Sequence, residues 1–372
     1  MTSERPLTEF ELKGLRLEAK GKLTQLSREL SETRVTDFHL SWLNGQVPNQ
    51  ECNDKCRYFD RYGFLHIPQF ASTEEIRAMK HQMASLIQDW DPAEKTLAFS
   101  TEIIEGNQQV QGSDDYFLES ASRVHFFAET NALQENGSLK QEYVMKKLNA
   151  LNKSGHAMHI IEGAFRDYTL SDKVKSLVAE LGWKDPIVPQ SMYICKNPKI
   201  GGTVHSHQDS TFLFTEPRQS CLGLWLALDD ATLMNGCLWV RPTSHKEPLR
   251  RQYKRNELHF TGRVIEERSN VAKGDLSQPK MIFEVLDPNG VDWEGGLPKD
   301  LLETGFIPIE CKAGDLLAFC GTLDHLSLPN HSDEQRHTFQ LHLVEGPYAG
   351  VSWSTSNWLQ YPKAKKFLSI KK

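Results

Sequence analysis

From Ile187 to Val344 the chain repeats one pattern, a short apolar run followed by a cluster of turn residues. The runs are Ser191–Cys195, Thr211–Phe214, Cys221–Leu228, Gly236–Val240, Phe306–Ile309, Leu316–Cys320 and Thr338–Val344. Each is too short for an ordinary helix, and bounded apolar segments of this size read as strands. Asn235-Gly236 supplies a tight-turn signal between two of them. Many short strands must hide their edges, and doubling an antiparallel sheet into a jelly roll does so.

The segment before Ile187 has a different texture. Thr8-Glu9-Phe10-Glu11 is a capping box, and Leu12, Leu15, Ala19, Leu23, Leu26 and Leu30 recur at steps of three and four. Gly14 and Gly21 each weaken that helix by roughly 1 kcal/mol relative to alanine. It is therefore expected to lie on its own domain rather than to mediate oligomerisation or bind a partner, and it carries no chemistry. Residues 45–56 are polar and turn-rich, which places a boundary there. A strand is expected over Tyr62–Pro68. Ser72-Thr73-Glu74-Glu75 caps a helix through Gln88, with Ile76, Met79, Met83, Leu86 and Ile87 inside. Residues 91–122 are irregular, anchored by Tyr116 and Phe117, and Arg123–Phe127 reads as a strand. Ser171 caps a second helix that Gly182 ends. Residues 246–303 break the strand pattern with charge, glycine and proline, as a lid or substrate loop would. The expected organisation is an N-terminal amphipathic helical extension over 1–50, one domain over 55–361 with 246–303 inserted between core strands, and a C-terminal tail over 362–372.

With 372 residues the chain can bury a large core, and a net charge of −6 gives no sign of a nucleic-acid partner. Seven cysteines without a Cys-x-x-Cys pair read as free thiols in a reducing compartment. No signal peptide, presequence or run of about 18 apolar residues is seen, and the end Ser369-Ile370-Lys371-Lys372 is not a peroxisomal address. A cytoplasmic location is expected.

One step carries chemistry. In Gly201-Gly202-Thr203-Val204-His205-Ser206-His207-Gln208-Asp209, an extended strand would turn His207 and Asp209 to one face and offer an imidazole and a carboxylate to one metal ion. His205 lies on the same face, so a His205/His207 pair is the competing choice. Downstream, Gly314-Asp315 turns into the strand Leu316–Cys320, His325 follows it, and Arg336 opens the next strand. Two histidines and a carboxylate on one face of an iron leave three positions free for a chelating co-substrate and dioxygen. A buried arginine would grip the distal carboxylate of a dicarboxylate co-substrate with two parallel hydrogen bonds.

The order His207-x-Asp209, Arg241-Pro242-Thr243-Ser244-His245, Gly314-Asp315, His325-x-Ser327 and Arg336 resembles the phytanoyl-CoA dioxygenase family of Fe(II)/2-oxoglutarate oxygenases. Further stretches are similar to one branch of it: Asp115–Leu118, Asn152-Lys153-x-Gly155-His156-Ala157, Gln190–Ile194, Phe212-Leu213-x-Thr215-Glu216-Pro217, Asn235–Trp239 and Trp353-Ser354-x-x-Asn357-Trp358-Leu359-Gln360. The resemblance covers residues 57–361, apart from much of 246–303. It implies a mainly β fold with α, a double-stranded β-helix (cupin-like jelly roll) with flanking helices. It also implies iron held by His207, Asp209 and His325. Arg336 and Ser327 would hold the distal carboxylate of 2-oxoglutarate, with Lys153, Met192 and Trp225 contacting the same co-substrate.

That alignment selects His207 with Asp209 over His205. Of the later histidines, His331, His337 and His342 lack the preceding strand and the arginine at the family distance, so His325 is chosen. His156 and His159 are expected to be hydrogen-bonded near the pocket, and His245 to brace a turn. Because a carboxylate stands at Asp209, halogenation is disfavoured and hydroxylation is the expected outcome. Fe(II), 2-oxoglutarate and O2, with ascorbate as an auxiliary reductant, are the implied cofactors, and a small organic, lipid-like or acyl molecule is the implied substrate. The alternatives are a non-catalytic 2-oxoglutarate and metal sensor on the same fold, or a metal enzyme that uses no 2-oxoglutarate.

Overall fold

A computed structural model describes residues 11–19, 22, 54–92, 97–99, 114–260, 275, 277–290 and 300–371. The Thr8 cap, Leu23, Leu26, Leu30, Cys52, most of the 45–56 boundary and parts of the 246–303 insertion lie outside those residues.

The core is a sheet-rich jelly roll. Its larger sheet is antiparallel but for one pair, and is built from β1 (Phe64–Ile67), β2 (Leu97–Ala98), β3 (Val124–Ala128), β4 (Leu151–His156), β5 (Pro186–Lys196), β8 (Leu222–Ala227), β13 (Leu316–Cys320) and β15 (Arg336–Glu345). They run in the order β1-β13-β8-β15-β5-β4-β3-β2, and β17 (Leu368–Ser369) also pairs with β5. The smaller sheet has the order β12-β9-β14-β6, from Ile307–Ile309, Leu238–Val240, His325–Ser327 and Val204–His207. Two short ribbons complete the strands, β10 (Arg251–Arg255) with β11 (Met281–Val285) and β7 (Thr215–Glu216) with β16 (Ser352–Trp353).

Every residue of β8, β13 and β15 is buried. The larger sheet is thus covered on both faces, which is why its strands read as continuous apolar runs rather than alternating ones. Register partners share a face. The row Tyr193, Phe339 and Leu226 looks outward and meets Phe165 and Tyr168 of the helix Ala164–Thr169, with ring centroids 5.0 Å apart for Phe165–Phe339. One step along, Met192, Gln340 and Trp225 look inward. The helices Thr73–Asp89 and Asp172–Glu180 bury Ile76, Met79, Met83 and Ile87, and Val174, Leu177 and Val178, in the same core. Ser72 and Glu75 make the capping box of the first. Leu12, Leu15 and Ala19 of the helical residues 11–19 are buried in this core, and Arg16 pairs with Glu310.

Gly314 holds φ +97°, and a Cβ there would stand 2.7 Å from the Ala71 carbonyl oxygen, so the position favours glycine. The turn it makes is closed by Asp315, whose carboxylate accepts from the Gln69 and Lys312 amides and meets His66 Nε2 at 3.0 Å. Cys311 lies near enough for a metal cluster with these two, but the Asp315 oxygens are already committed to the turn. All six described cysteines are free and buried. No described helix is long and apolar enough to cross a membrane.

Two expectations need correction. Thr211–Phe214 is not a strand: Asp209–Thr211 is a 3-10 turn, with the Phe212 and Leu213 amides on the Asp209 carbonyl, and pairing resumes only at β7. The run is apolar because Leu213 is buried and Phe212 packs against other aromatic rings, not because it joins a ladder. For the same reason His207 and Asp209 do not share one strand face. β6 ends at His207, opposite the first residue of β14, and loses its partner there. Within the insertion, β10 and β11 form a hairpin that buries Tyr253 and Met281.

Candidate active site

His207 closes β6 and His325 opens β14, and the two are register partners with ring centroids 4.2 Å apart. The 3-10 turn then swings Asp209 back over both. Its Oδ1 lies 3.4 Å from His207 Nε2 and 3.6 Å from His325 Nε2. Each residue offers one ligand atom, and the three atoms lie within 4.8 Å of one another.

Local backbone fixes both rings. His207 Nδ1 sits 2.8 Å from the His205 carbonyl, and His325 Nδ1 sits 3.0 Å from the Leu323 carbonyl. A carbonyl can only accept, so each Nδ1 carries the proton and each Nε2 presents its lone pair to the shared gap. Burial, with His207 alongside, pushes His325 down to about 4, so it is neutral, the form that ligates metals. Burial alone would raise the Asp209 carboxyl, but the imidazoles of His342 and His325 beside it and the hydrogen bond from His342 hold it well below its ordinary value. The carboxylate is anionic and shared. His205 takes no part in the cluster, and its carbonyl orients His207.

Phe319 packs on His325 with centroids 4.7 Å apart. Gly223 makes room for it, since a Cβ there would stand 2.6 Å from the Phe319 ring. Next to His325, the buried Asp324 accepts from both Arg250 and Arg241, and its amide donates to Ser244 Oγ at 2.9 Å. The Arg241–His245 motif is therefore scaffolding. Arg241 grips Asp324, and His245 Nε2 contacts the Asp60 carbonyl at 2.8 Å.

The second pole is Arg336, the first residue of β15 and 2% exposed. Its guanidinium reaches Ser327 Oγ at 3.3 Å and Thr338 Oγ1 at 3.5 Å, and its carbon lies 5.5 Å from the Trp225 ring. Nε has no hydrogen-bond partner, and among the described residues no carboxylate forms an ion pair with it. Burial lowers it to about 10. A buried cation without a paired anion is costly. Ser327 joins the two poles, because on β14 it stands two residues beyond His325 and so looks to the same side.

Register places the remaining expected residues on the same inward face. Met192, Gln340 and Trp225 form one row, while Lys153, Ile194 and Thr338 form the next. Lys153 is 6% exposed, its ammonium 3.3 Å from the Phe99 ring centroid, and burial lowers it to about 7. His156 and His159 are buried and hydrogen-bonded, His156 to Ser120 and His159 to Ser191.

Sequence reasoning missed three groups. Asp324 and Arg250 carry no motif signal. Lys196, the register partner of Arg336, has its ammonium on the Gly202 and Leu328 carbonyls. His342 meets Asp209 Oδ2 at 2.9 Å, and parity could have found it, since Arg336, Thr338, Gln340 and His342 alternate along one strand face.

The family profile described as phytanoyl-CoA dioxygenase matches residues 59–338. Phytanoyl-CoA dioxygenase of Arabidopsis thaliana is 39% identical over 85% of this chain and 96% of its own length. Phytanoyl-CoA dioxygenase domain-containing protein 1 of Mus musculus is 38% identical over 81% of this chain and 92% of its own. A looser outline is shared with a solved structure, the epimerase SnoN in complex with Fe3+, alpha ketoglutarate and nogalamycin RO, with TM-score 0.49 and 12% identity over 84% of this chain and 90% of that one. With a family match across most of its jelly roll and relatives this similar over nearly their whole length, the chain belongs to the phytanoyl-CoA dioxygenase family of dioxygenases.

Proposed function

We propose that the chain is an Fe(II)- and 2-oxoglutarate-dependent hydroxylase, in which O2 and 2-oxoglutarate are consumed, succinate and CO2 are released, and one oxygen atom enters a C–H bond of a small organic, lipid-like or acyl substrate. The observation that carries this reading is Ser327, which touches Arg336 and stands two residues from His325. Two steps of extended strand span about 6.5 Å. A five-carbon diacid has that reach, with its 2-oxo acid end at the ligand cluster and its far carboxylate at Arg336.

The donor set fits iron: two neutral imidazoles and one carboxylate, gathered on one side of a gap. Bound there, iron supplies the redox chemistry of dioxygen activation. The chain's own residues do the rest. His207, Asp209 and His325 hold the metal, Arg336 and Ser327 anchor the diacid, and Lys153 adds a second positive charge to its binding site. Met192 and Trp225 keep that end dry. On the far side, Phe212 lies 6.2 Å from the His207 ring and continues into Tyr253 at 5.6 Å and Phe283 at 6.3 Å. An aromatic wall beside the reacting centre favours an apolar substrate.

Purified protein supplied with Fe(II), ascorbate and labelled 2-oxoglutarate is expected to form succinate at a rate that a library of candidate substrates increases. Asp209→Ala serves as the background. No succinate above that background, with or without the library, sinks the reading. Tight 2-oxoglutarate binding without turnover would instead make the protein a sensor.

A further inference from the structure

Asp209 has two oxygens, and the fold treats them differently. Oδ1 faces His207 and His325, while Oδ2 is held by His342 Nε2 at 2.9 Å. His342 is 2% exposed and comes from β15 of the opposite sheet. Its other nitrogen, Nδ1, lies 3.2 Å from Gln190 Nε2. An amide nitrogen donates, so Nδ1 accepts, and the imidazole proton must sit on Nε2, pointing at Asp209. The chain Gln190 to His342 to Asp209 therefore has one consistent set of donors. Gln190 and His342 are register partners on the inward face, and Gly223, on the other side of His342, adds no side chain to crowd the ring.

Coordination arithmetic gives this arrangement a purpose. Six positions surround an iron of this kind. Two imidazoles and one carboxylate oxygen use three, a chelating 2-oxo acid uses two, and dioxygen needs the last. A carboxylate that bound through both oxygens would remove the position that dioxygen needs. We propose that His342, braced by Gln190, is a positioning residue that holds Asp209 to one-oxygen coordination by keeping Oδ2 engaged. The inference rests on the iron-centre reading above and adds the group that keeps the centre's sixth position open.

The test uses Mn(II) as the probe metal. Mn(II) is titrated into the full-length protein and its His342→Phe, His342→Gln, Gln190→Leu and Asp209→Ala variants, each matched to the parent by circular dichroism and thermal unfolding. Metal-induced difference infrared spectra are recorded alongside. A carboxylate bound through one oxygen shows widely separated antisymmetric and symmetric stretches, and binding through two narrows the gap. His342→Phe is expected to weaken Mn(II) binding about 10- to 100-fold and to narrow that separation. Glutamine at 342, which keeps an N–H donor, restores most of both, and Gln190→Leu gives a smaller shift in the same direction. The proposal is overturned if His342→Phe binds Mn(II) within about twofold of the parent while Asp209→Ala loses it. It is overturned equally if affinity falls with the band separation unchanged and no rescue by glutamine, which would mark a packing role only. If Asp209→Ala itself binds Mn(II) like the parent, the centre has been misassigned, and both readings fall together.

Discussion

The two poles of the pocket are built on opposite electrostatic plans. At the ligand cluster every group is matched before any metal arrives. His207 and His325 lean on carbonyls two residues back, Asp209 is shared among three imidazoles, and Asp324 beneath them is saturated by two arginines. At Arg336 the fold leaves the charge unmet, with long contacts to two hydroxyls and Nε unpartnered. His207 and His325 stand at the ends of short strands of the small sheet, whereas Arg336 opens β15, a long and wholly buried strand of the large sheet. A metal site needs ligand geometry fixed in advance, whereas an anion site gains affinity from leaving its cation short of a partner until the anion binds.

That contrast can be broken by substitution, and the largest effect is expected at the saturated pole. Asp324→Ala strands the buried Arg250 guanidinium, leaves Arg241 with Glu247 alone, and should destabilise the protein by about 3–5 kcal/mol in denaturant unfolding. An unchanged midpoint would show that the network is not what holds the His325 strand. Next comes Arg336→Met. On metal-loaded protein, calorimetry should show 2-oxoglutarate affinity reduced by about 2–5 kcal/mol, with metal affinity retained. In the free protein the same replacement should have the opposite sign, raising stability by about 1–4 kcal/mol, because a buried unpaired cation gives way to an apolar side chain. Loss of stability there would mean that Arg336 is already paid for by its neighbours and that the two poles do not differ.

The smallest expected effect concerns Lys153. Burial lowers it to about 7, so in the free protein its charge disappears as pH rises through neutrality. A bound dianion favours the ammonium. Affinity for 2-oxoglutarate should therefore be full near pH 6 and weaken above pH 7 by up to about tenfold per unit, and Lys153→Met should be weaker and flatter across that range. The stability sign runs the other way. Between about pH 7 and the ordinary lysine value, the folded chain binds fewer protons than the unfolded one, so this group makes the free protein more stable as pH rises across that window and less stable below it. An affinity profile identical in both proteins would remove Lys153 from the anion pole.

Much of this architecture could be read from the chain itself, for reasons that lie in particular residues. The runs at Cys221–Leu228, Leu316–Cys320 and Thr338–Val344 declared themselves because both of their faces are covered, so no polar alternation dilutes them. The cap at Ser72 and the stripe through Ile76, Met79, Met83 and Ile87 are local, and local signals survive folding. The residues expected at the site come together as a cluster of three and an inward-facing row. What stayed hidden depends on long-range meeting. His342 and Asp209 are 133 residues apart and share no motif, and Asp324 is one carboxylate among many until Arg250 reaches it from 74 residues away. The β10–β11 hairpin escaped because Arg251-Gln252-Tyr253-Lys254-Arg255 has one buried aromatic and no apolar repeat.

Asp324 also bears on the order in which the protein is completed. Its partners Arg241 and Arg250 flank the start of the 246–303 insertion, and the carboxylate they grip is the residue just before His325. Without Arg250, which lies in the insertion, the buried acid beside His325 keeps only Arg241 as counter-charge, and contacts of such long span form late in folding. The same carboxylate thus fastens the strand that presents His325 to the first residues of the insertion, so a change at Arg250 is felt at His325 across the 74 residues of chain that separate Arg250 from Asp324.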